Sequence, residues 1–418
     1  MTPAPEGAGS AEARRLRPWN GAGGARIGAV DAPVIPHLAA LARRHPNPWS
    51  LGQGVAFFPP PPQARAEVDA FWRSPSAHGY GPAAGLDPLV AAIGAKLTRE
   101  NGFSGVGDDL RVLVTAGANM AFLTALLAIT DPGDEVLLPL PWYFNHEMAV
   151  RIADCRPIGV PPAPGLRPDL AALEAAITSR TRVLVSVSPN NPAGIVYTPE
   201  ELLALNRLAT ARGLWHISDE TYEYFLYGGR RHQSPGAPAS TRTITLGSFS
   251  KAYGMASWRV GYLLAPAELY PALLKVQDTN LICAPHVSQH AALGALVAGS
   301  DWPRRHLATL ETHAGQLRAA LLRLGSGVRE IIGGEGALYF LVRLDTALDS
   351  LQMAERLVLE HGVVTLPGSA FGLAHGCWLR LSFGALSGDG LAHGLDRLVA
   401  GIAAILSDAP RSTPHEGG

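Results

Sequence analysis

The sequence predicts an α/β fold in which a mostly parallel sheet is sandwiched by helices in a large domain, with a smaller α+β domain after it. From about residue 85 to 300, short continuous apolar runs alternate with helix-like segments, and such runs are typical of parallel strands that are covered on both faces. Beyond residue 300, a long amphipathic stretch precedes several strands, which is an α+β order. With 418 residues, 47% of them apolar, the chain is long enough for two domains.

The elements of the first region follow in the order expected for strands joined by crossover helices. A helix that begins at Pro199 has Thr198 as its predicted N-cap, because a threonine followed by proline and two glutamates is a helix start signal. The other predicted helices span 119–128 and 169–178, and the predicted strands span 111–114, 134–138, 182–187, 214–218 and 241–246.

The second region contains a predicted helix, three strands and a final helix, at 302–324, 338–344, 363–366, 378–383 and 390–406. The resulting division is a disordered N-terminal arm, a segment that joins the small domain, a large domain, a C-terminal small domain and a disordered tail. Their limits are 1–25, 26–60, 61–300, 301–408 and 409–418.

Charge and composition limit the partners and the compartment. The formal net charge of −1 gives no field that would attract nucleic acid or an anionic membrane. No apolar run approaches the length of a membrane span, and residues 1–25 lack the apolar core of a signal peptide. The cysteines are isolated, which favours a reducing cytoplasm over a disulfide framework; they are Cys155, Cys283 and Cys377.

One block, residues 248–262, carries the most chemical information. Lys251 follows the β-branched run 241–246, with Ser248 before it and Arg259 after it. A lysine in an apolar setting has a lowered pKa and can form a Schiff base with an aldehyde. Serine and arginine are donors that hold a phosphate. Although most lysines are surface residues, this combination describes a site for pyridoxal phosphate.

Three further polar residues follow predicted strands, where ligands gather in open α/β sheets. Asp219 could pair with the ring nitrogen of the cofactor, although a helix-capping aspartate is an equally good interpretation. Tyr222 could reach the ring hydroxyl, or it could be an ordinary half-buried tyrosine. Asn191 lies in a turn formed by Asn, Pro and Gly, and it could project from that turn as a second donor.

Weaker signals concern the phosphate, the substrate and metals. Gly117-Ala118-Asn119 is a small-residue entry to a helix, whose free N–H groups can bind phosphate. Arg380 lies inside an apolar strand, so it needs a partner, which is either a substrate carboxylate or a structural carboxylate. No metal is predicted, because the histidines lack metal-ligand spacing and are interpreted as core or pocket-edge residues; they are His146, His216 and His286.

Together these residues resemble the fold-type I pyridoxal-phosphate enzymes, specifically the class I/II aminotransferases, from about residue 51 to 383. The resemblance implies that Lys251 forms the Schiff base and moves the proton, and that Asp219 pairs with the pyridine nitrogen. It also implies contacts to the ring hydroxyl or the phosphate from Asn191, Tyr222, Ser248, Arg259, Gly117, Ala118 and Asn119.

The same resemblance implies the remaining contacts. Tyr143 would stack on the cofactor ring, with adjacent Trp142 as the competing candidate. Arg380 would bind the substrate α-carboxylate, with the backbone near Gly54 and with Asn191 also on the substrate side. Tyr80 would reach the phosphate of a neighbouring subunit, which implies a homodimer.

Two departures from the family pattern affect the prediction. Ser257 replaces the glycine usually found two residues before the phosphate arginine. Residues 275–285 offer no arginine for a second substrate carboxylate, which favours a neutral side chain such as an aromatic, thioether or kynurenine-like one.

The predicted function is a ping-pong aminotransferase that moves the amino group of an L-amino acid to a 2-oxo acid. A lyase, a cyclising synthase or an amino-acid oxidase could carry the same residues around the cofactor, so these stay open. A ligand-sensing regulator is disfavoured, because residues 1–25 are too few for a helix-turn-helix domain.

Overall fold

The computed structural model describes residues 24–388 and 390–409. The predicted arm at 1–25 and the predicted tail at 409–418 lie almost wholly outside the described residues, so they stay predictions. The same holds for the domain limits at residues 60, 300 and 408.

The described helices are α1 (Ala25–Gly28), α2 (Val34–Ala42), α3 (Pro62–Arg73), α4 (Asp87–Asn101), α5 (Ala118–Ile129), α6 (Phe144–Ile152), α7 (Leu170–Ala175), α8 (Pro199–Ala211), α9 (Phe249–Ala252), α10 (Tyr270–Leu281), α11 (His286–Ala298), α12 (Asp301–Arg304), α13 (Leu307–Leu322), α14 (Ser350–His361) and α15 (Gly390–Asp408). The strands are β1 (Trp49–Ser50), β2 (Leu110–Thr115), β3 (Glu135–Pro139), β4 (Arg156–Val160), β5 (Thr181–Val187), β6 (Trp215–Asp219), β7 (Thr243–Ser248), β8 (Gly261–Pro266), β9 (Val328–Gly333), β10 (Tyr339–Leu344), β11 (Val363–Val364), β12 (Leu366–Pro367) and β13 (Cys377–Ser382).

A seven-stranded sheet with the order β2-β8-β7-β6-β5-β3-β4 forms the centre of the larger part. All neighbouring strands are parallel except β8, which is antiparallel to both β2 and β7. The predicted mostly parallel sheet is therefore confirmed. Helix α8 links β5 to β6 and begins with a capping box, in which Thr198 and Glu201 each accept the backbone N–H of the other. The predicted N-cap at Thr198 is also confirmed.

Helices cover both faces of this sheet, as the continuous apolar runs predicted. Along β5, Val183 and Val185 pack into the cluster that contains Phe122 of α5. Leu184, which points the other way because side chains alternate along a strand, packs with Leu202 of α8.

A four-stranded antiparallel sheet, in the order β12-β13-β10-β9, forms the centre of the C-terminal part. Two predicted elements are broken here. The single strand predicted at 363–366 is two strands, because β11 pairs with β1 and β12 pairs with β13. The single helix predicted at 302–324 is α12 and α13, separated by a turn in which the ring of His306 stacks on Phe58 at 4.0 Å.

The N-terminal segment contacts the C-terminal part directly. Strand β1 pairs in parallel with β11, with Trp49 opposite Val363, and the N–H of Leu51 donates to the carbonyl of Val364 at 2.8 Å. This pairing brings the residues that follow β1, including Gly52 and Gly54, to the edge of the larger part.

Helix α15 is long and apolar enough to cross a membrane by length and composition alone. Its inner face lies in the core of the C-terminal part, where the buried residues include Leu395, Leu398 and Ile402. A core helix of this kind meets the same criterion, so α15 is weak evidence for a membrane span.

Candidate active site

A cavity of about 660 Å³ lies where the carboxyl ends of β5, β6 and β7 meet the N-terminal end of α5 and the strands β10 and β13. Polar residues after parallel strands meet there because these ends lie at one edge of the sheet. Most of the residues predicted from the sequence line the cavity: Gly54, Ala118, Asn119, Tyr143, Asn191, Asp219, Tyr222, Ser248, Lys251, Arg259 and Arg380.

Lys251 faces the cavity from α9, directly after β7. The hydroxyl of Ser248 caps this helix by accepting the N–H of Ser250 at 3.1 Å, which fixes the turn that carries the lysine. Burial, helped by the charges of Arg380 and Arg259, lowers the pKa of the Lys251 ammonium to about 8. Near neutral pH, a larger fraction of this amine is therefore neutral and nucleophilic than in an ordinary lysine.

The two other lysines of the chain lie elsewhere. Lys96 is buried and donates to the carboxylate of Glu223 at 2.5 Å. Lys275 is exposed on α10. Lys251 is therefore the lysine that can react with a carbonyl compound in the cavity.

Asp219 ends β6 and is held by two donors. Nε2 of His146 lies 3.2 Å from Oδ2, and the N–H of Thr221 donates to Oδ1 at 3.0 Å. Burial acts to raise the pKa of Asp219, but these hydrogen bonds hold it below its ordinary value. The carboxylate is therefore ionised at neutral pH and can hold a proton-bearing ring nitrogen.

The sequence predicts that His146 is a core or pocket-edge histidine, and the structure adds its contact with Asp219. Its ring stacks on Phe122 at 4.0 Å, and its Nδ1 has no partner among the described residues. The sequence did not reveal this contact, because His146 is on α6, far from Asp219 along the chain.

The donors proposed for a phosphate converge at one end of the cavity. Gly117 is the N-cap of α5 and has no side chain to occupy the first free N–H groups of that helix. A Cβ at Gly117 would lie 2.3 Å from Nη2 of Arg259 and would displace the guanidinium, and the φ of 82° at this position also favours glycine. Arg259 itself has a φ of 52° and donates to the carbonyl of Ala256 at 2.9 Å. Ser257, which departs from the family pattern, is exposed and lines this end of the cavity.

A separate hydrogen-bonded chain in the cavity wall links Arg380 to Tyr222 through Asn191. The Arg380 side chain is buried, and its Nη1 donates to Oδ1 of Asn191 at 2.9 Å. Nη2 of Arg380 donates to the carbonyl of Gly52. Asn191 in turn donates from Nδ2 to the hydroxyl of Tyr222 at 3.4 Å. Nε of Arg380 has no partner among the described residues.

The structure distinguishes between the two candidates for the stacking residue. Tyr143 lines the cavity, and its hydroxyl accepts a hydrogen bond from Nδ2 of Asn145 at 2.8 Å. Trp142 lies behind this wall and donates its indole N–H to the carbonyl of Ala370 at 3.3 Å. Tyr143, rather than Trp142, is therefore positioned to contact a bound ring.

Tyr80 is the predicted site residue that lies apart from the others. It is 87% exposed and does not line the cavity of its own chain. The lining residues that sequence reasoning missed include Ile35 of α2 and Tyr339, the first residue of β10. Neither has a local motif that could have indicated it.

Comparison with known proteins agrees with this geometry. The family model described as aminotransferase class I and II matches residues 47–398. The chain belongs to this family. An aromatic aminotransferase of Arabidopsis thaliana is 36% identical over 387 residues, which are 90% of this chain and 95% of that protein. An aspartate/prephenate aminotransferase of Thermus thermophilus is 37% identical, over 76% of this chain and 82% of that protein.

Solved structures are similar to this aminotransferase throughout its fold. A mutant of the Thermus thermophilus aspartate aminotransferase superposes with a TM-score of 0.83 at 32% identity, over 90% of this chain and 99% of that chain. The aromatic aminotransferase of Pyrococcus horikoshii superposes with a TM-score of 0.79 at 30% identity, over 89% and 99%. The predicted enzyme class, fold type and cofactor are confirmed: this is a pyridoxal-phosphate-dependent aminotransferase, whose substrates are amino acids and 2-oxo acids.

The cavity of the aminotransferase fits pyridoxal phosphate on its own chemistry. It contains an amine for the aldehyde at Lys251 and an ionised carboxylate for the ring nitrogen at Asp219. The space that Gly117 leaves beside Arg259 is a cradle that a Cβ would fill. The buried Nε of Arg380 has no partner among the described residues, so this donor is free for a bound anionic group.

Proposed function

We propose that this aminotransferase takes its amino group from an L-amino acid with a neutral, preferably aromatic, side chain. The observation that carries the proposal is the set of cations around the cavity. Among the described residues that line it, the lysines and arginines are Lys251, Arg259 and Arg380. Each has a role toward the cofactor or the α-carboxylate, so none is left for a carboxylate on the substrate side chain.

The walls next to Arg380 favour the same substrate class. Ile35, Tyr143 and Phe144 line the cavity with apolar or aromatic surface. An aromatic side chain buries its area against such walls, whereas a second carboxylate would lose hydration without a partner. The names of the relatives include both aromatic and aspartate aminotransferases, so the preference rests on the cavity.

The substrate would be oriented through its α-carboxylate. Arg380 has a planar guanidinium whose position is fixed by Asn191 and by the carbonyl of Gly52, so its remaining N–H groups can bind a carboxylate. The backbone at Gly54 lies beside this site, where it can also contact the carboxylate.

The proton transfers would be carried out by Lys251. Pyridoxal phosphate, when bound, supplies an electron-withdrawing ring that makes the Cα–H of an amino acid acidic. The Nζ of Lys251 would then be the base that takes the proton from the Cα of the substrate and the acid that returns it. Asp219 would keep a proton on the ring nitrogen, and Tyr222 and Asn191 would donate to the ring hydroxyl oxygen.

The phosphate would be held by Ser248, Arg259 and the N-terminal end of α5, with Ala118 and Asn119 as its first residues. Arginine and helix N–H groups are strong donors to phosphate. The shift from one half-reaction to the other requires a 2-oxo acid to bind where the amino acid had bound, which gives ping-pong kinetics.

The donor preference has a direct test. Purified holoenzyme is mixed with single L-amino acids, and the loss of the cofactor's visible absorbance is followed in a single turnover. We expect phenylalanine or another aromatic donor to react at least about tenfold faster than aspartate, because aspartate places a carboxylate against an apolar wall. Equal rates for aspartate and phenylalanine would contradict the proposed substrate class.

We also infer a homodimer in which Tyr80 completes the site of the partner. Tyr80 is exposed and outside its own cavity, and Trp72 and Val297, each 69% exposed, belong to the neighbouring helices α3 and α11. Exposed aromatic and aliphatic residues of this size are typical of a surface that another chain covers.

Co-expression of two variants tests this arrangement. Tyr80→Ala and Lys251→Ala chains are combined, so that a mixed dimer has one site with both residues intact if Tyr80 acts on the partner. Random pairing then restores roughly a quarter of the wild-type activity, since half of the dimers are mixed and each has one intact site. Failure of co-expression to exceed the activity of the separate variants would place Tyr80 outside the partner's site.

The cytoplasm is the proposed compartment. All three cysteines are free thiols in the structure, and Cys155 and Cys377 are buried. Free thiols are typical of proteins that stay in a reducing environment.

A further inference from the structure

Tyr339, an aromatic residue that sequence reasoning missed, contacts two residues of the proposed site, Tyr222 and Arg380. Its hydroxyl lies 2.5 Å from the hydroxyl of Tyr222. Its ring lies under Arg380, whose Cζ is 4.4 Å from the ring centroid. Tyr339 is 1% exposed, so both contacts are shielded from solvent. A shielded contact between hydroxyls is stronger than one in water.

The backbone around Tyr339 is adapted to this hydroxyl. A Cβ at Gly54 would lie 1.8 Å from the Tyr339 hydroxyl oxygen, so the N-terminal segment can pass this point only as glycine. On the sheet, Tyr339 pairs with Ser382 of β13, two residues from Arg380. The position of the ring is therefore fixed from both sides.

The direction of the hydrogen bond between the two tyrosines follows from donor counting. An arginine only donates, so Oδ1 of Asn191 faces Arg380, and Nδ2 of Asn191 is left to donate to the Tyr222 oxygen. Burial raises the pKa of both tyrosines, so both are neutral and each carries one hydroxyl proton. If the proton of Tyr222 is directed to the ring hydroxyl oxygen of the cofactor, only Tyr339 can donate in the contact between them.

We propose that Tyr339 is a positioning residue that donates its hydroxyl proton to Tyr222 and thereby directs the Tyr222 proton to the cofactor. This inference rests on the proposed contact between Tyr222 and the ring hydroxyl oxygen. A hydroxyl that accepts hydrogen bonds becomes a better donor, because hydrogen bonds in a chain polarise one another. Tyr339 therefore strengthens the hydrogen bond from Tyr222 without touching the cofactor's ring oxygen itself.

The test is a pH titration of the visible absorbance of the holoenzyme. This absorbance reports the protonation state of the nitrogen that joins Lys251 to the cofactor. Without the Tyr339 hydroxyl, the ring oxygen keeps more negative charge and stabilises that proton. Tyr339→Phe is expected to raise the midpoint by about 0.5–1 pH unit, the size of one net hydrogen bond expressed as a pKa shift. Tyr222→Phe should raise it further, and adding Tyr339→Phe to Tyr222→Phe should cause no additional rise.

Tyr227→Phe is the matched control, because Tyr227 is a buried tyrosine whose hydroxyl donates to the carbonyl of Ala337, two residues from Tyr339, outside the cavity. Its midpoint should equal that of the wild type. An unchanged midpoint in Tyr222→Phe would refute the proposed role of Tyr222 itself. Three results would overturn the role of Tyr339. The first is a shifted midpoint in Tyr222→Phe with none in Tyr339→Phe, and the second is an equal shift when Tyr339→Phe is added to the wild type and to Tyr222→Phe. The third is a similar shift in Tyr227→Phe.

Discussion

Replacement of Lys251 by alanine is expected to abolish amino transfer while the protein folds and still binds pyridoxal phosphate. Lys251 is the lysine that faces the cavity, and its lowered pKa of about 8 suits both the covalent bond and the proton transfers. A general base alone contributes typically ~10²–10⁴-fold, so kcat should fall by at least this factor. The absorbance of the lysine-bound cofactor should be absent, whereas phosphate and ring contacts should retain the cofactor.

Lys275→Ala is the control for this variant, since Lys275 is exposed on α10 and does not line the cavity. It should keep both the absorbance and the turnover. Survival of both properties in Lys251→Ala would refute the assignment of the reactive lysine. Thermal unfolding of the apoproteins shows whether either substitution acts through stability.

The second large effect is expected for Arg380→Ala. The guanidinium would make two charge-assisted hydrogen bonds to the substrate carboxylate, each worth about 1.5–3 kcal/mol. The value of kcat/KM for the amino acid should therefore fall by about 10²–10⁴-fold, since each 1.4 kcal/mol is a factor of ten. Arg380→Lys should recover only part of this loss, because an ammonium does not provide the planar pair of donors.

Cofactor binding distinguishes this role from a structural one. Arg380→Ala should keep the cofactor, because Arg380 bonds to Asn191 and Gly52 and not to the proposed phosphate donors Ser248 and Arg259. Arg343→Ala provides the control. Arg343 is exposed on the neighbouring strand β10, and its Cζ lies 5.9 Å from the ring centroid of Trp378. Loss of the cofactor from Arg380→Ala, with an unchanged KM for the amino acid, would assign Arg380 to the cofactor instead of the substrate.

The part of the site that could be predicted from the sequence is the part built on strand ends. Asp219, Asn191 and Lys251 each follow an apolar run, and parallel strands bring such positions to one edge of a sheet. The arrangement of helices on both faces of the sheet was also predictable, because strands with continuous apolar runs must be covered on both faces.

Contacts between distant elements could not be predicted in this way. His146 reaches Asp219 from α6, and Tyr339 reaches Tyr222 from the C-terminal sheet. These pairs have no fixed spacing along the chain, so periodicity and local motifs do not report them. The break between α12 and α13 was missed for the same reason, because the stacking of His306 on Phe58 is a tertiary contact.

Some strands carry a weak local signal. Strand β4 has the sequence Arg-Pro-Ile-Gly-Val at the edge of the sheet, where a proline and a glycine lower the strand propensity. Strand β8 is apolar but overlaps the end of the lysine block, and the sequence analysis predicts no strand there. It inserts antiparallel between β2 and β7, which a pattern of parallel crossovers does not predict.

We propose that Lys251 and the residues that line its cavity transfer nitrogen from an amino acid to a 2-oxo acid. The most direct measurement is the amount of ¹⁵N label in the new amino acid. The holoenzyme is incubated with an ¹⁵N-labelled aromatic L-amino acid, the donor and its product are removed, and an unlabelled 2-oxo acid is then added. We expect one labelled amino acid to be formed per active site, with the cofactor absorbance lost in the first step and recovered in the second. Release of the label as ammonia, without label in the new amino acid, would contradict it and identify a lyase or an oxidase.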